Sequence, residues 1–393
     1  MKHIGTIVRG IKTPIIKEGD NLEEIVVKSL QDASREGNFS FHDRDVVAIT
    51  EAVVGISDGN YATVSDVAFD INQKFTGDHL GIVFPILSRN RFALILKGIA
   101  RAKKKLTILL SFPADEVGND ILNKEKLVHS LSDTFGLAEY YENYGDFKHL
   151  FTGINMVDFY KELVEQENCE VDFIFSNDPT QILAATNQVL VCDIHTRFDT
   201  KESLYEADVV LGLDDILTDS INGSGFNETY GLLGSNRATE EKLKLFPNNK
   251  QLVFNIQNRL KELTGKTIEV MIYGDGAFKD PIGKIWELAD PVVSPSHTRG
   301  LEGSPNELKL KYLSDAKLAH LTGDELSQAV KQEILNKDYN LKGKMETQGT
   351  TPRRYVDLLG SLCDLTSGSG DKGTPVVLVQ NYFNNYATEG DDE

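Results

Sequence analysis

Between Ser367 and Pro375 the chain reads Ser-Gly-Ser-Gly-Asp-Lys-Gly-Thr-Pro, and the apolar run Val376-Val377-Leu378-Val379 follows directly. Glycine has no Cβ, so it lets backbone N–H groups come close to a ligand and turn towards it. Lys372 adds a mobile positive charge and Asp371 an oxygen donor. The group suits a metal-bound phosphate. The P-loop order G-x-x-x-x-G-K-[ST] is absent, and a plain helix-to-strand loop is the alternative reading.

Other polar segments carry related chemistry. Gly274-Asp275-Gly276-Ala277-Phe278-Lys279-Asp280-Pro281 puts two carboxylates and a lysine on one loop after a strand. Such oxygen ligands suit Mg2+ or Mn2+, and the same residues also build an Asp/Gly turn. Asp193 and His195 flank Ile194, so in an extended segment they face one side, placed to share a metal or to form an acid–base pair. Between Pro295 and Glu307 the chain is dense in groups that bind carboxylates, phosphates or metals, among them Glu302, and Arg299 can clamp an anion in two-pronged fashion. Arg353 and Arg354 stand just before Asp357, to serve a phosphate tail or only to complement the acidic surface. No H-E-x-x-H helix and no clear dinucleotide fingerprint, a strand followed by G-x-G-x-x-G and a helix, appears, which argues against standard zincin and Rossmann dehydrogenase chemistry.

The elements that must position these groups alternate between strand and helix. Strands are expected at Ile4–Val8, Asp45–Thr50, Phe92–Leu96, Leu106–Leu110, Val171–Phe175, Gln188–Cys192, Ala207–Leu213 and Ile268–Tyr273, from their β-branched and apolar runs. Helices are expected from an Asp20 N-cap through Leu30, over much of 114–168, over 240–263 and 306–345, and from Val356 to Cys363. Residues 222–236, rich in Gly, Ser and Asn, read as a loop. Polar residues recur just beyond apparent strand ends, the edge where open α/β sheets bind ligands.

A net charge of −19 disfavours a nucleic-acid partner, which needs clustered Lys and Arg. It leaves room for a phosphorylated small ligand held by a few local cations and a divalent ion. Cys169, Cys192 and Cys363 are far apart and odd in number, which fits a reducing cytoplasm rather than a disulfide framework. No secretory signal and no apolar stretch of membrane-spanning length are visible.

The two ends of the chain resemble the coenzyme F-420-0:gamma-glutamyl ligase family. Gly10-Ile11-Lys12-Thr13-Pro14-Ile15-Ile16-Lys17-Glu18-Gly19-Asp20-Asn21-Leu22 is similar to the family's opening G-[IL]-P-[LI]-I-K-x-G-D-x-L. Asp43-Arg44-Asp45-Val46-Val47-Ala48-Ile49 resembles its next strand. Leu263-Thr264-Gly265-Lys266 with the strand to Asp275, and Asp357 through Val379, resemble its later segments. The resemblance implies a mixed α/β (α+β) fold: a ligase core over 1–111 and 261–393, with an inserted αβ segment over 112–260. It implies a homodimer that uses GTP (or ATP) with Mg2+ or Mn2+, activates a carboxylate as an acyl phosphate and joins it to glutamate or a related amino acid. By position, Thr13, Pro14, Ile15 and Thr50 line the nucleotide, with Gly368, Gly370, Asp371 and Gly373. The resemblance implies that Asp275 and Asp357 hold metal, and Lys372 and Arg299 are the expected catalytic cations.

Two family positions differ. The family's lysine in an S-K-x-x-G setting is absent from Gly55-Ile56-Ser57-Asp58-Gly59, and Ala100 follows Gly98-Ile99 where the family has a metal-binding aspartate. The expectation is that Asp193, His195 or Glu302 replaces the lost metal ligand, and Arg101, Lys103 or Lys104 the lost cation. A metal-dependent phosphotransferase or hydrolase, and a non-catalytic ligand-binding protein, are the competing readings.

Overall fold

The computed structural model describes residues 3–127, 133–149, 152–274, 277–279, 286–288, 294–348, 350, 353–368 and 371–388. In chain order the strands are β1 (Ile7–Ile11), β2 (Val46–Thr50), β3 (Tyr61–Thr63), β4 (His79–Val83) and β5 (Lys105–Leu110). Then come β6 (Thr134–Gly136), β7 (Glu170–Ser176), β8 (Gln188–Val191), β9 (Val209–Gly212), β10 (Ser235–Arg237) and β11 (Lys242–Leu245). The last are β12 (Glu269–Tyr273), β13 (Ala277–Lys279), β14 (Trp286–Leu288), β15 (Ser296–His297) and β16 (Val376–Gln380). The fold is mixed α/β, as expected.

The central sheet has the order β1-β16-β2-β12-β15. Only β2 and β12 run parallel within it; β16 runs antiparallel to both β1 and β2. Its inner strands β16, β2 and β12 are largely apolar on both faces because helices cover both faces. Successive side chains alternate sides. Val47 and Ile49 of β2, Val270 and Ile272 of β12, and Val376 and Leu378 of β16 pack with the Leu22–Gly37 and Gln251–Thr264 helices. Val46 and Ala48, Met271 and Tyr273, and Val377 and Val379 pack on Val356, Leu359 and Cys363 of the Tyr355–Ser367 helix. Each such aliphatic side chain, taken fully out of water, stabilises the sandwich by about 1.5–3 kcal/mol.

A second sheet has the order β6-β7-β5-β4-β8-β9, parallel except for β6. The parallel strands thus stand 3-2-1-4-5 in order of appearance, the doubly wound arrangement. The expected division at 111/112 runs through this sheet: β4 and β5 pair with β8 and β7 rather than with the central sheet. A small antiparallel sheet, β10-β11-β3, lies outside both larger sheets.

Several local expectations change. Phe92–Leu96 belongs to the Arg91–Ala102 helix, not to a strand. The run is apolar nearly all round, and Gly98 lets this helix press against the Val64–Lys74 helix, where a Cβ would stand 2.7 Å from Val67. The alternating Lys242-Leu243-Lys244-Leu245 forms a strand with both leucines buried. Pro247 then separates it from the Gln251–Thr264 helix, because proline has no N–H to give. Among its described residues the 114–168 region holds three shorter helices and β6, and the principal helix of 306–345 is Gly323–Leu335.

Candidate active site

Strand directions bring four chain segments to one edge of the central sheet. β2 and β12 both end there, at Thr50 and Tyr273 in register. β16 starts there, with Val376 opposite both Ile49 and Ile11. The backbone seals the junction: Thr13 N–H donates to the Gly373 carbonyl at 3.3 Å and Thr50 N–H to the Pro375 carbonyl at 3.0 Å. Thr374 Oγ1 donates to the Ser367 carbonyl at 3.2 Å. Gly10 eases this approach, since a Cβ there would lie a tight 3.1 Å from Thr374.

Thr13, Pro14, Ile15, Thr50, Gly368, Asp371, Lys372 and Gly373 thus meet on one edge although they come from opposite ends of the chain. Gly370 lies outside the described residues, as does Asp275, which follows β12 by two positions. Gly368 and Gly373 take φ of +61° and +68°, the left-handed region that favours glycine. Lys372 folds back so that its Nζ stands 2.8 Å from where a Gly368 Cβ would be. Asp371, Lys372 and Gly373 are exposed. A groove of about 520 Å³ opens between Pro14 and the Leu22–Gly37 helix, with Asn21, Glu24 and Lys28 on its wall. Glu51, unmarked in the sequence reading, follows Thr50 directly and is buried; its Oε1 accepts from Asn236 Nδ2 at 3.0 Å. A carboxylate one residue past a buried strand is the signal that marks it.

The remaining predicted residues lie elsewhere. β15 runs antiparallel to β12, so the turn after it returns to the amino end of β12, about 13 Å from Tyr273 along the strand. There Gly300 N–H donates to Glu269 Oε2 at 3.2 Å, which fixes the turn carrying Arg299 and Glu302, both exposed. Asp357 stands near the amino end of the Tyr355–Ser367 helix, about 15 Å along its axis from Ser367. Arg354 holds it with two prongs, Nε at 3.0 Å and Nη2 at 2.8 Å.

Asp193 and His195 belong to the second sheet. The chain bends after β8 instead of staying extended, so Asp193 is buried and His195 exposed, and they share no face. Asp193 Oδ2 accepts from Thr196 Oγ1 at 2.5 Å and Thr200 Oγ1 at 2.7 Å. Burial raises its carboxyl above the ordinary range against those hydroxyls, and the Glu116 charge adds to the rise. The expected replacement cations are also engaged: Arg101 with Glu167 and Glu241, Lys103 on the carbonyls of Phe75 and Gly77, and Lys104 with Asp78.

A phosphate fits the first edge, where glycines, exposed backbone and an ammonium meet. Among the described residues a divalent ion finds no such fit. Among the described residues no three His, Cys, Asp or Glu side chains gather as a ligand set.

Residues 10–381 match the family described as F420-0:Gamma-glutamyl ligase. No curated protein matches the chain.

Proposed function

From the premise that this chain belongs to the F420-0:gamma-glutamyl ligase family and is a ligase, we propose that it uses a nucleoside triphosphate to activate a carboxylate as an acyl phosphate and joins it to the amine of glutamate or a related amino acid. The observation that carries this reading is the closure of the glycine loop onto Thr13 and Thr50, with Lys372 on the loop. Backbone amides of 371–373 and the Lys372 ammonium hold phosphate oxygens, and fixed positive charge there stabilises negative charge as the phosphoryl group transfers. Pro14, next to Thr13 in the chain, lines the groove beside the Leu22–Gly37 helix, which has room for the nucleoside.

GTP and ATP are both compatible with this edge. Mg2+ or Mn2+ belongs to the proposal through the family alone. Asp275 is the carboxylate nearest in sequence to this edge after β12, and the described carboxylates Asp357, Asp193 and Glu302 are engaged or remote. The homodimer and a cytoplasmic location are likewise proposed; the three thiols are buried and free.

The test measures phosphate release from GTP and ATP with glutamate and a panel of carboxylic acids, each alone and together. A ligase releases phosphate only when acid and amine are both present. Release without an amine indicates a phosphotransferase or hydrolase, and absence of nucleotide stabilisation in a thermal melt indicates a binding protein.

A further inference from the structure

The second sheet carries its own crevice. β4 and β8 are parallel neighbours whose outgoing connections part in opposite directions, to β5 and to β9. In doubly wound sheets ligands sit outside the carboxyl ends of such a pair. The segment after β5 crosses this place and grips both sides. Asp115 Oδ2 accepts from Leu87 N–H, beyond β4, at 2.9 Å. Glu116 accepts from the Ile194 N–H, from the His195 N–H at 3.1 Å and from Thr196 Oγ1 at 3.3 Å, all beyond β8.

The turn at 194–196 is therefore a built carboxylate seat, and its occupant is an exposed side chain from a surface loop. Beside it lies an unsatisfied group. Asp193 is 1% exposed, and while its Oδ2 is hydrogen-bonded, its Oδ1 is buried with no partner. Thr196 Oγ1 touches both carboxylates, at 2.5 Å from Asp193 Oδ2 and 3.3 Å from Glu116 Oε2, so the two carboxylates are a single hydroxyl apart. Its one proton serves one of them at a time. Two carboxylates this close favour a cation between them.

We propose that this crevice binds an α-amino acid: the ligand's carboxylate replaces that of Glu116 on the Ile194 and His195 amides, and its ammonium reaches Asp193. Glu116 is then an internal stand-in that holds the site closed. The idea leans on the ligase reading only for the choice of glutamate as probe.

Calorimetric titration of the full chain with L-glutamate and with glutarate, which lacks the ammonium, tests it. Glu116→Ala removes a competitor held at millimolar effective concentration, so glutamate binds at least about tenfold more tightly than to the parent. In that variant glutamate outbinds glutarate by roughly tenfold or more, and Asp193→Asn erases the preference. The proposal is overturned if Glu116→Ala gains no affinity, or if glutarate binds that variant as well as glutamate does; neither outcome requires the Asp193 variant to fold. Lys372→Ala, which cripples the nucleotide edge, leaves glutamate binding here intact, so failure of one reading is distinct from failure of the other.

Discussion

Lys372 decides the nucleotide reading, and two neighbouring glycines separate its charge from the shape of its loop. At Gly368 an added methyl would stand 2.8 Å from Lys372 Nζ, so Gly368→Ala must push the ammonium aside. The same change forces an alanine to φ +61°, ψ 167°, at a cost of about 1–3 kcal/mol. Gly373→Ala carries similar strain at φ +68° but meets nothing within 4 Å. Both variants should therefore lose about 1–3 kcal/mol in urea unfolding. Only Gly368→Ala and Lys372→Ala should also lose nucleotide. A hydrogen bond from a charged group contributes about 1.5–3 kcal/mol, so Lys372→Ala weakens binding by roughly one to two orders of magnitude. In a thermal melt with nucleotide at about 100 times the parent Kd, the stabilisation of about 2.7 kcal/mol falls to about 0.4 kcal/mol for a hundredfold loss. An undiminished shift in Lys372→Ala refutes the assignment. So does a loss of binding in Gly373→Ala as deep as in Gly368→Ala, because that would trace the effect to loop strain alone.

Two further outcomes follow from the geometry. Gly300→Ala would place a Cβ 2.1 Å from Glu269 Oε1, inside the carboxylate that holds the Thr298–Gly300 turn. It should destabilise the fold by about 2–5 kcal/mol by urea titration, through overpacking and lost buried hydrogen bonds, while specific activity of the folded fraction stays near the parent's. Asp115 carries a pH signature. Burial raises its carboxyl from the ordinary 3.8 to about 6, against hydrogen bonds from Asn119, Leu87 and Val117. The unfolded chain releases this proton first, so its contribution is greatest below the unfolded value and is lost as pH climbs through the folded one. The change is on the order of 3 kcal/mol. Stability measured from pH 4 to pH 7 should carry this downward component, and Asp115→Asn should remove it; an identical slope in the two proteins would be incompatible with a buried, raised carboxyl.

The strands of the central sheet were legible because burial on both faces writes itself as unbroken apolar runs, at Val46–Ile49 and Val376–Val379. The glycine loop was legible for the opposite reason: glycine is the residue most at ease in the positive-φ backbone seen at Gly368 and Gly373. Phe92–Leu96 misled because a short apolar run fits a buried helix as well as a strand. Lys242–Leu245 was missed within a longer charged stretch although its alternation marks a strand.

Which loops share an edge was beyond any local pattern. Asp275, Arg299, Glu302 and Asp357 have equally suitable chemistry in one dimension. Strand direction then carries Arg299 and Glu302 to the far end of β12, and helix length carries Asp357 away from the glycine loop. Glu116 bears no mark of its role, since its partners lie 78–80 residues further along the chain. Local sequence determines which segments pleat, coil or turn, because those choices depend on side-chain shape and spacing within a few residues. Proximity between distant carboxylates, amides and cations is decided only when strands pair and take a direction, because that is a property of the assembled sheet.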